Sequence, residues 1–276
     1  MRFAIILCWT TVASFGAKVE VLYKLTPRDI VADRVHAVLK DNVARGQKVQ
    51  AMLQEAGCPA GHLDLQPVKH VKAPNVICTV PGGSGLTIVV GAHFDHVNVG
   101  MGVIDNWSGV SLLPSLLECV RSALRRHTFV FAGFTGEEDG LLGSKSYVRH
   151  LAPEDLKRIV AMINFDSVGA GPVEVQVSTT NKDLLTRLLN TANSIKVPVS
   201  RMDFDSIGSS DYASFSEKKI PTLVLHSLTP QNFHILHSPD DNMKALRMDD
   251  YYDTYRLLAM YLAFLDVMLD APATQR

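Results

Sequence analysis

A three-layer α/β sandwich, with a mixed but mostly parallel sheet between helices on both faces, is the fold this sequence predicts. Short runs such as Leu86-Thr87-Ile88-Val89-Val90 and Thr128 to Phe134 are apolar at consecutive positions, as strands covered on both faces are. These runs alternate with segments whose apolar residues recur at helical spacing, the order a doubly covered sheet requires. Acids and histidines gather just after the runs, at the edge where such sheets place their sites.

The chain has 276 residues, 47% hydrophobic and 20% charged, enough for one large core. A net charge of -1 without any long Lys/Arg block gives no basis for nucleic acid or an acidic membrane surface as partner. Met1-Arg2, the apolar Phe3 to Val12 and the small residues through Ala17 follow the order of a secretory signal. Its apolar segment is too short to span a bilayer, and Leu7 before Cys8 is unlike a lipid-attachment site, so no stable membrane anchor is expected. Residues 1–17 are therefore read as a signal, with cleavage after Ala13 or Gly16, and 18–276 as a single domain of a secreted or periplasmic protein. Without Cys8 the cysteines are odd in number. Cys78 and Cys119 fall in core-like segments, and a Cys58–Cys78 bridge is left open.

Thr26-Pro27 places a capping hydroxyl before a proline suited to a first helical turn, and Ile30, Val31, Val35, Val38 and Leu39 follow at helical spacing. A second helix, Val43 to Ala56, stops at Gly57, and Leu63 to Val71 alternates as a strand does. These segments are expected to cover an edge of the main sheet, without a chemical role. Strands are then predicted at Asn75 to Val80, Leu86 to Val90, Thr128 to Phe134, Ile159 to Asn164, Val173 to Ser178 and Thr222 to Leu225. Helices are predicted at Ser108 to Ser122, Leu141 to Arg149, Lys182 to Ser194, Asp211 to Lys218 and Asp249 to Leu269.

His93, Glu137-Glu138, Asp166 and His237 each follow a different apolar run, and Asp105 lies in the glycine-flanked loop after His93. Carboxylate and imidazole are zinc donors, and convergence of distant segments on one sheet edge is poorly explained by surface solvation. Adjacent side chains in extended backbone point to opposite sides, so one of Glu137 and Glu138 is free to bind metal while the other faces a water. Asp95 is near enough for its carboxylate to accept the free N–H of His93 and fix the tautomer. His96, Asp139, Asp240 and Asp241 are read as exposed or supporting polar groups. His36, His62, His70, His127 and His150 are read as surface residues.

With these residues in place, the sequence resembles the di-zinc aminopeptidases typified by secreted bacterial leucyl aminopeptidases, relatives of glutamate carboxypeptidases and glutaminyl cyclases. The resemblance rests on Gly91-Ala92-His93-Phe94-Asp95, Asp105-Asn106-Trp107-Ser108-Gly109, Gly136-Glu137-Glu138, Gly140-Leu141-Leu142-Gly143-Ser144, Asn164-Phe165-Asp166, Ser210-Asp211 and His237-Ser238-Pro239, in that order. It implies two zinc ions bridged by Asp105, with His93 and Asp166 on one and Glu138 and His237 on the other. Glu137 would be the general base of a peptidase that activates water and acts on a peptide with a free N-terminus. It also implies a cis peptide after Asp105. Trp107 and Tyr212 depart from the family pattern, and Trp107 is open to two roles, pocket wall or helix-start packing. A glutaminyl cyclase-like or carboxypeptidase-like zinc enzyme, or a non-catalytic ectodomain on the same scaffold, is the alternative.

Overall fold

The computed structural model describes residues 6–14, 17–122, 125–203 and 208–269. Its centre is an eight-stranded sheet whose inner strands are β5 (Thr87–His93), β6 (Thr128–Phe134), β7 (Ile159–Phe165) and β10 (Thr222–His226). These four are mutually parallel, in the order β6-β5-β7-β10. On one side β4 (Asn75–Val80) adds antiparallel to β6, and β3 (Leu63–Gln66) adds to β4. On the other, β8 (Glu174–Gln176) adds antiparallel to β10, and β9 (Ser200–Met202) runs parallel to β8. The sheet is thus mixed, with a parallel heart.

Alternation along each inner strand divides the core. Ile88 and Val90 join the large cluster formed with α2 (Asn42–Glu55), α4 (Leu113–Arg121), α7 (Lys182–Ile195) and α9 (Met248–Met268). Val89 points the other way, with Val130, Ala132 and Phe134, onto α5 (Leu142–His150) and α8 (Tyr212–Ser216), which supply Tyr147 and Phe215. Consecutive apolar positions were the sequence signal for this arrangement. Gly46 lets α2 lie close to the sheet, since a Cβ there would sit 3.1 Å from the Phe94 ring.

Several elements differ from the sequence expectation for identifiable reasons. The strand expected to reach Val71 ends at Gln66, because Pro67 has no N–H to continue the ladder. Val173 to Ser178 contracts to the three residues of β8. The helix expected from Ser108 to Ser122 is broken into α3 (Ser108–Val110) and α4, and Pro114 lies in the first turn of the second piece. Thr26 does not cap α1 (Arg28–His36); its hydroxyl donates to the Glu118 carboxylate at 2.7 Å, and Pro27 occupies the cap position. His127 is not a surface residue but fully buried, 3.3 Å from the Asp266 carboxylate. A short helix, α6 (Pro153–Arg158), was not anticipated.

The segment read as a leader runs as β1 (Ile6–Ser14), paired antiparallel with β2 (Ala17–Leu25) in a hairpin against α7 and α9. Residues 1–5, 15 and 16 of that segment lie outside the described residues. Cys58, just beyond α2, forms a disulfide with Cys78 in β4, while Cys119 is a buried thiol whose Sγ lies 3.6 Å from the Ala259 carbonyl oxygen. Among the described residues, no helix is long and apolar enough to cross a membrane.

Candidate metal centre

The four parallel strands end at one edge, and that shared edge assembles the site. His93 is the last residue of β5, and Asp166 immediately follows β7. Glu137 and Glu138 lie just past β6, beyond Gly136, whose φ of 66° is readily adopted only without a side chain. His237 lies in the connection after β10, and Asp105 in an irregular turn, Val103–Trp107, with a cis peptide to Asn106.

Asp105 stands at the middle. Its Oδ1 is 3.3 Å from His93 Nε2 and its Oδ2 is 3.1 Å from His237 Nε2. Asp166 Oδ2 lies 3.5 Å from the same nitrogen of His93, and Glu138 Oε2 lies 3.0 Å from that of His237. Two donor groups result, His93 with Glu137 and Asp166, and Asp105 with Glu138 and His237; within each, the donor atoms lie within 4.8 Å of one another. The adjacent glutamates thus face opposite halves, though not through strand alternation: they lie in the turn after β6, where the Gly140 and Leu141 N–H groups donate to the Glu137 carbonyl. All six residues singled out for metal and base are brought together.

Asp95 behaves differently from expectation. The ring Nδ1 of His93 is 3.1 Å from the main-chain oxygen of Asp95, whereas the carboxylate Oδ1 is 3.6 Å away, beyond a hydrogen bond. The carboxylate instead accepts the backbone N–H groups of Glu137 at 3.2 Å and Glu138 at 3.3 Å. Residue 95 thus orients the histidine through its backbone and the two glutamates through its side chain.

Sequence reasoning assigned no role to Arg45, yet this fully buried guanidinium holds the loops of the site together. It donates to the carbonyls of Phe94, Leu39, Met101 and Gly102, with the last at 2.9 Å, and lies 5.2 Å over the Trp107 ring. The available signal was an arginine at the head of the apolar stripe Val49, Met52, Leu53. Trp107 is fully buried, donates from Nε1 to the Arg34 carbonyl, and does not line the cavity; of its two roles, packing is the one observed. Asp241 is also buried and accepts the N–H groups of Ile104 and Asp105 at 2.6 and 3.2 Å, bracing the central carboxylate from behind. Asn106 accepts from Gly109 and Ser167 and donates to Phe165, tying the same turn to the end of β7. Its place next to Asp105 was the only sequence hint of that role.

The electrostatics are those of a cation site. Burial, then the Asp166, Asp211 and Asp105 carboxylates, push Glu137 up to about 9, with His93 partly opposing. Burial and Asp105 push Glu138 up to about 7. Burial alone would lower His93, but Asp166, Glu137 and Asp105 hold it well above the ordinary histidine range. Hydrogen bonding to Asp105 is foremost in raising His237 to about 9. Glu138 Oε1 is buried without a partner. Crowded carboxylates, two imidazoles and an orphaned oxygen fit divalent metal, whose charge would relieve the repulsion.

Beside this cluster opens a cavity of about 610 Å³ with an apolar wall that includes Leu141, Tyr212, Val224, Leu228, Phe233 and Leu236. Tyr212, which departs from the family pattern, therefore faces the cavity. Leu141, Ser167 and His237, which also line it, have positive φ of 62°, 57° and 53°. Such backbone is costly for non-glycine residues and concentrates where function fixes the geometry.

Comparison with known proteins agrees with this geometry. The chain is 28% identical over 221 residues to a probable leucine aminopeptidase of Arthroderma benhamiae, covering 72% of this chain and 61% of the relative, so it spans less than two thirds of that protein. It superimposes on a zinc aminopeptidase of Bacillus subtilis with a TM-score of 0.63 and 26% identity, covering 69% of this chain and 49% of that one. An Acidobacteriales bacterium glutaminyl cyclase shares the fold at a TM-score of 0.72 and 17% identity, over 87% of this chain and 93% of that one. Residues 75–262 match the model of Peptidase family M28, and the chain belongs to that family.

Proposed function

We propose that the protein is a zinc-dependent aminopeptidase that removes N-terminal residues from peptides, with two zinc ions held by His93, Asp105, Glu138, Asp166 and His237. The observation that carries this reading is the Asp105 carboxylate, with one oxygen turned to each half of the donor set. Zinc in such a site supplies Lewis acidity for the scissile carbonyl and lowers the pKa of water to about 7. Glu137 accepts the proton as water attacks and returns it to the leaving amine, a role suited to a carboxyl whose pKa is movable by its surroundings. Asp95 holds the Glu137 backbone in place for that transfer. With its carboxylate charge offset by metal, such a site would accept the neutral α-amino nitrogen of a peptide as a further donor, which favours peptide ends over internal bonds.

The Cys58–Cys78 disulfide supports a secreted or periplasmic location, with residues 1–17 as the signal, because such bonds persist in oxidising compartments. Metal stoichiometry and hydrolysis of aminoacyl 4-nitroanilides, measured on one sample, test the reading. Close to two zinc ions per chain and activity lost on chelation are expected. One metal with release of ammonia from N-terminal glutamine would make the protein a cyclase instead, and metal-free, inert protein would make it a binding scaffold.

A further inference from the structure

The cavity wall carries a polar group that the chemistry above does not use. His226 ends β10, lines the cavity and is 2% exposed. Its Nδ1 accepts the Leu228 N–H at 3.1 Å, while its Nε2 is buried with no partner. Burial lowers the imidazole to about 4, so the ring is neutral near pH 7. With Nδ1 accepting, the hydrogen is on Nε2, which is then an unanswered donor. A buried donor without an acceptor is costly, and its retention in a binding cavity calls for a ligand that satisfies it.

The neighbours of His226 narrow the ligand's chemistry. Glu174 pairs with His226 across β8 and β10, and its Oε2 is likewise buried without a partner. Gln176, two residues along β8 and so on the same face, is buried and lines the cavity. This part of the wall thus combines a donor with an amide and, behind them, a carboxylate, beside the apolar Val224, Leu228 and Phe233. A carboxamide group answers both kinds, its oxygen accepting and its NH₂ donating.

Resting on the exopeptidase reading, we infer that His226 is a specificity-determining residue whose Nε2–H meets an acceptor oxygen in the side chain of the substrate's N-terminal residue. The site then favours an amide side chain over an apolar one of similar size. A cavity with only apolar walls would rank the two in the opposite order.

The test compares 4-nitroanilides of asparagine with leucine, and of glutamine with methionine, for the wild type, two apolar variants, His226→Met and His226→Leu, and His226→Gln, which keeps a donor. The amide-to-apolar ratio of kcat/KM is expected to fall about ten- to a hundredfold in the apolar variants, the scale of one unmet buried hydrogen bond, and to be largely restored in His226→Gln. Hydrolysis of the leucine substrate by the apolar variants confirms that they fold. A ratio unmoved across variants that still hydrolyse leucine overturns this inference and leaves the exopeptidase reading standing. A wild type inert on all four substrates overturns that reading, and the inference with it.

Discussion

The two halves of the metal centre are built from similar donors but are supported differently. The side chain of His93 is 1% exposed, sits at the end of a central strand and is oriented by the main chain of Asp95. The side chain of His237 is 54% exposed, in a loop, on backbone with φ of 53°. One half is positioned by the sheet; the other is carried to it by a strained connection and meets it at Asp105. The contrast lies in the histidines, since the Asp105 and Glu138 side chains, 10% and 13% exposed, are at least as enclosed as Asp166 at 19%; His237 alone brings the shallow half to the solvent side. Shared chemistry does not require shared rigidity.

The sharpest way to break this comparison is within the adjacent glutamates. Glu137→Gln should retain metal while kcat falls about 10²- to 10⁴-fold, because the amide fills the same space but cannot take a proton. Glu138→Ala should lose metal and activity together. Zinc counts alongside kcat decide it, and metal loss in Glu137→Gln would show that the two residues do not divide the work.

A second effect bears on what stands behind the deep half. Arg45→Met strips the donors from four main-chain carbonyls around the site and should cost about 3 to 5 kcal/mol of stability, read by urea unfolding. A loss under about 1 kcal/mol would mean that the loops hold themselves.

Asp95→Asn should reduce metal affinity or activity by about ten- to a hundredfold, the scale for a group that orients ligands and base. The loss should fall on kcat as well as metal content, since the carboxylate holds the backbone of both glutamates. An effect on metal content alone would place its importance with His93.

The smallest effect is a pH dependence of the metal-free protein. Glu137 is raised from 4.5 to about 9, so its proton favours the folded state. That contribution is complete below pH 4.5 and is lost as pH climbs through about 9. His237, raised from 6.5 to about 9, acts with the same sign. The melting temperature of chelated protein should therefore decline across this window, and saturating zinc should flatten the slope. A decline of equal slope with and without zinc would locate the titration elsewhere.

Much of this was legible in the sequence for a physical reason. Strands covered on both faces announce themselves as continuous apolar runs, and parallel strands deliver the residues after them to one edge, so His93, Glu137, Glu138, Asp166 and His237 were found by position. Supporting contacts were not. Arg45 acts through carbonyls on distant loops, which leave no mark on sequence pattern, and an arginine in a helix reads as solvated. Asp95 was correctly placed beside His93, but proximity along the chain could not show that its carboxylate would turn to the glutamate backbone. Trp107 fitted wall and core equally until the guanidinium over its ring was seen.

The ordering of donors along the chain sets a timetable for synthesis. His93, Asp105, Glu137, Glu138 and Asp166 have all been made before His237, and β10 must join the sheet before the loop carrying His237 can reach the others. Asp241, which braces the turn carrying Asp105, comes later still. On the proposed ligand set, full metal retention would thus await nearly the whole chain, and a chain ending before residue 237 should hold less metal than the full one.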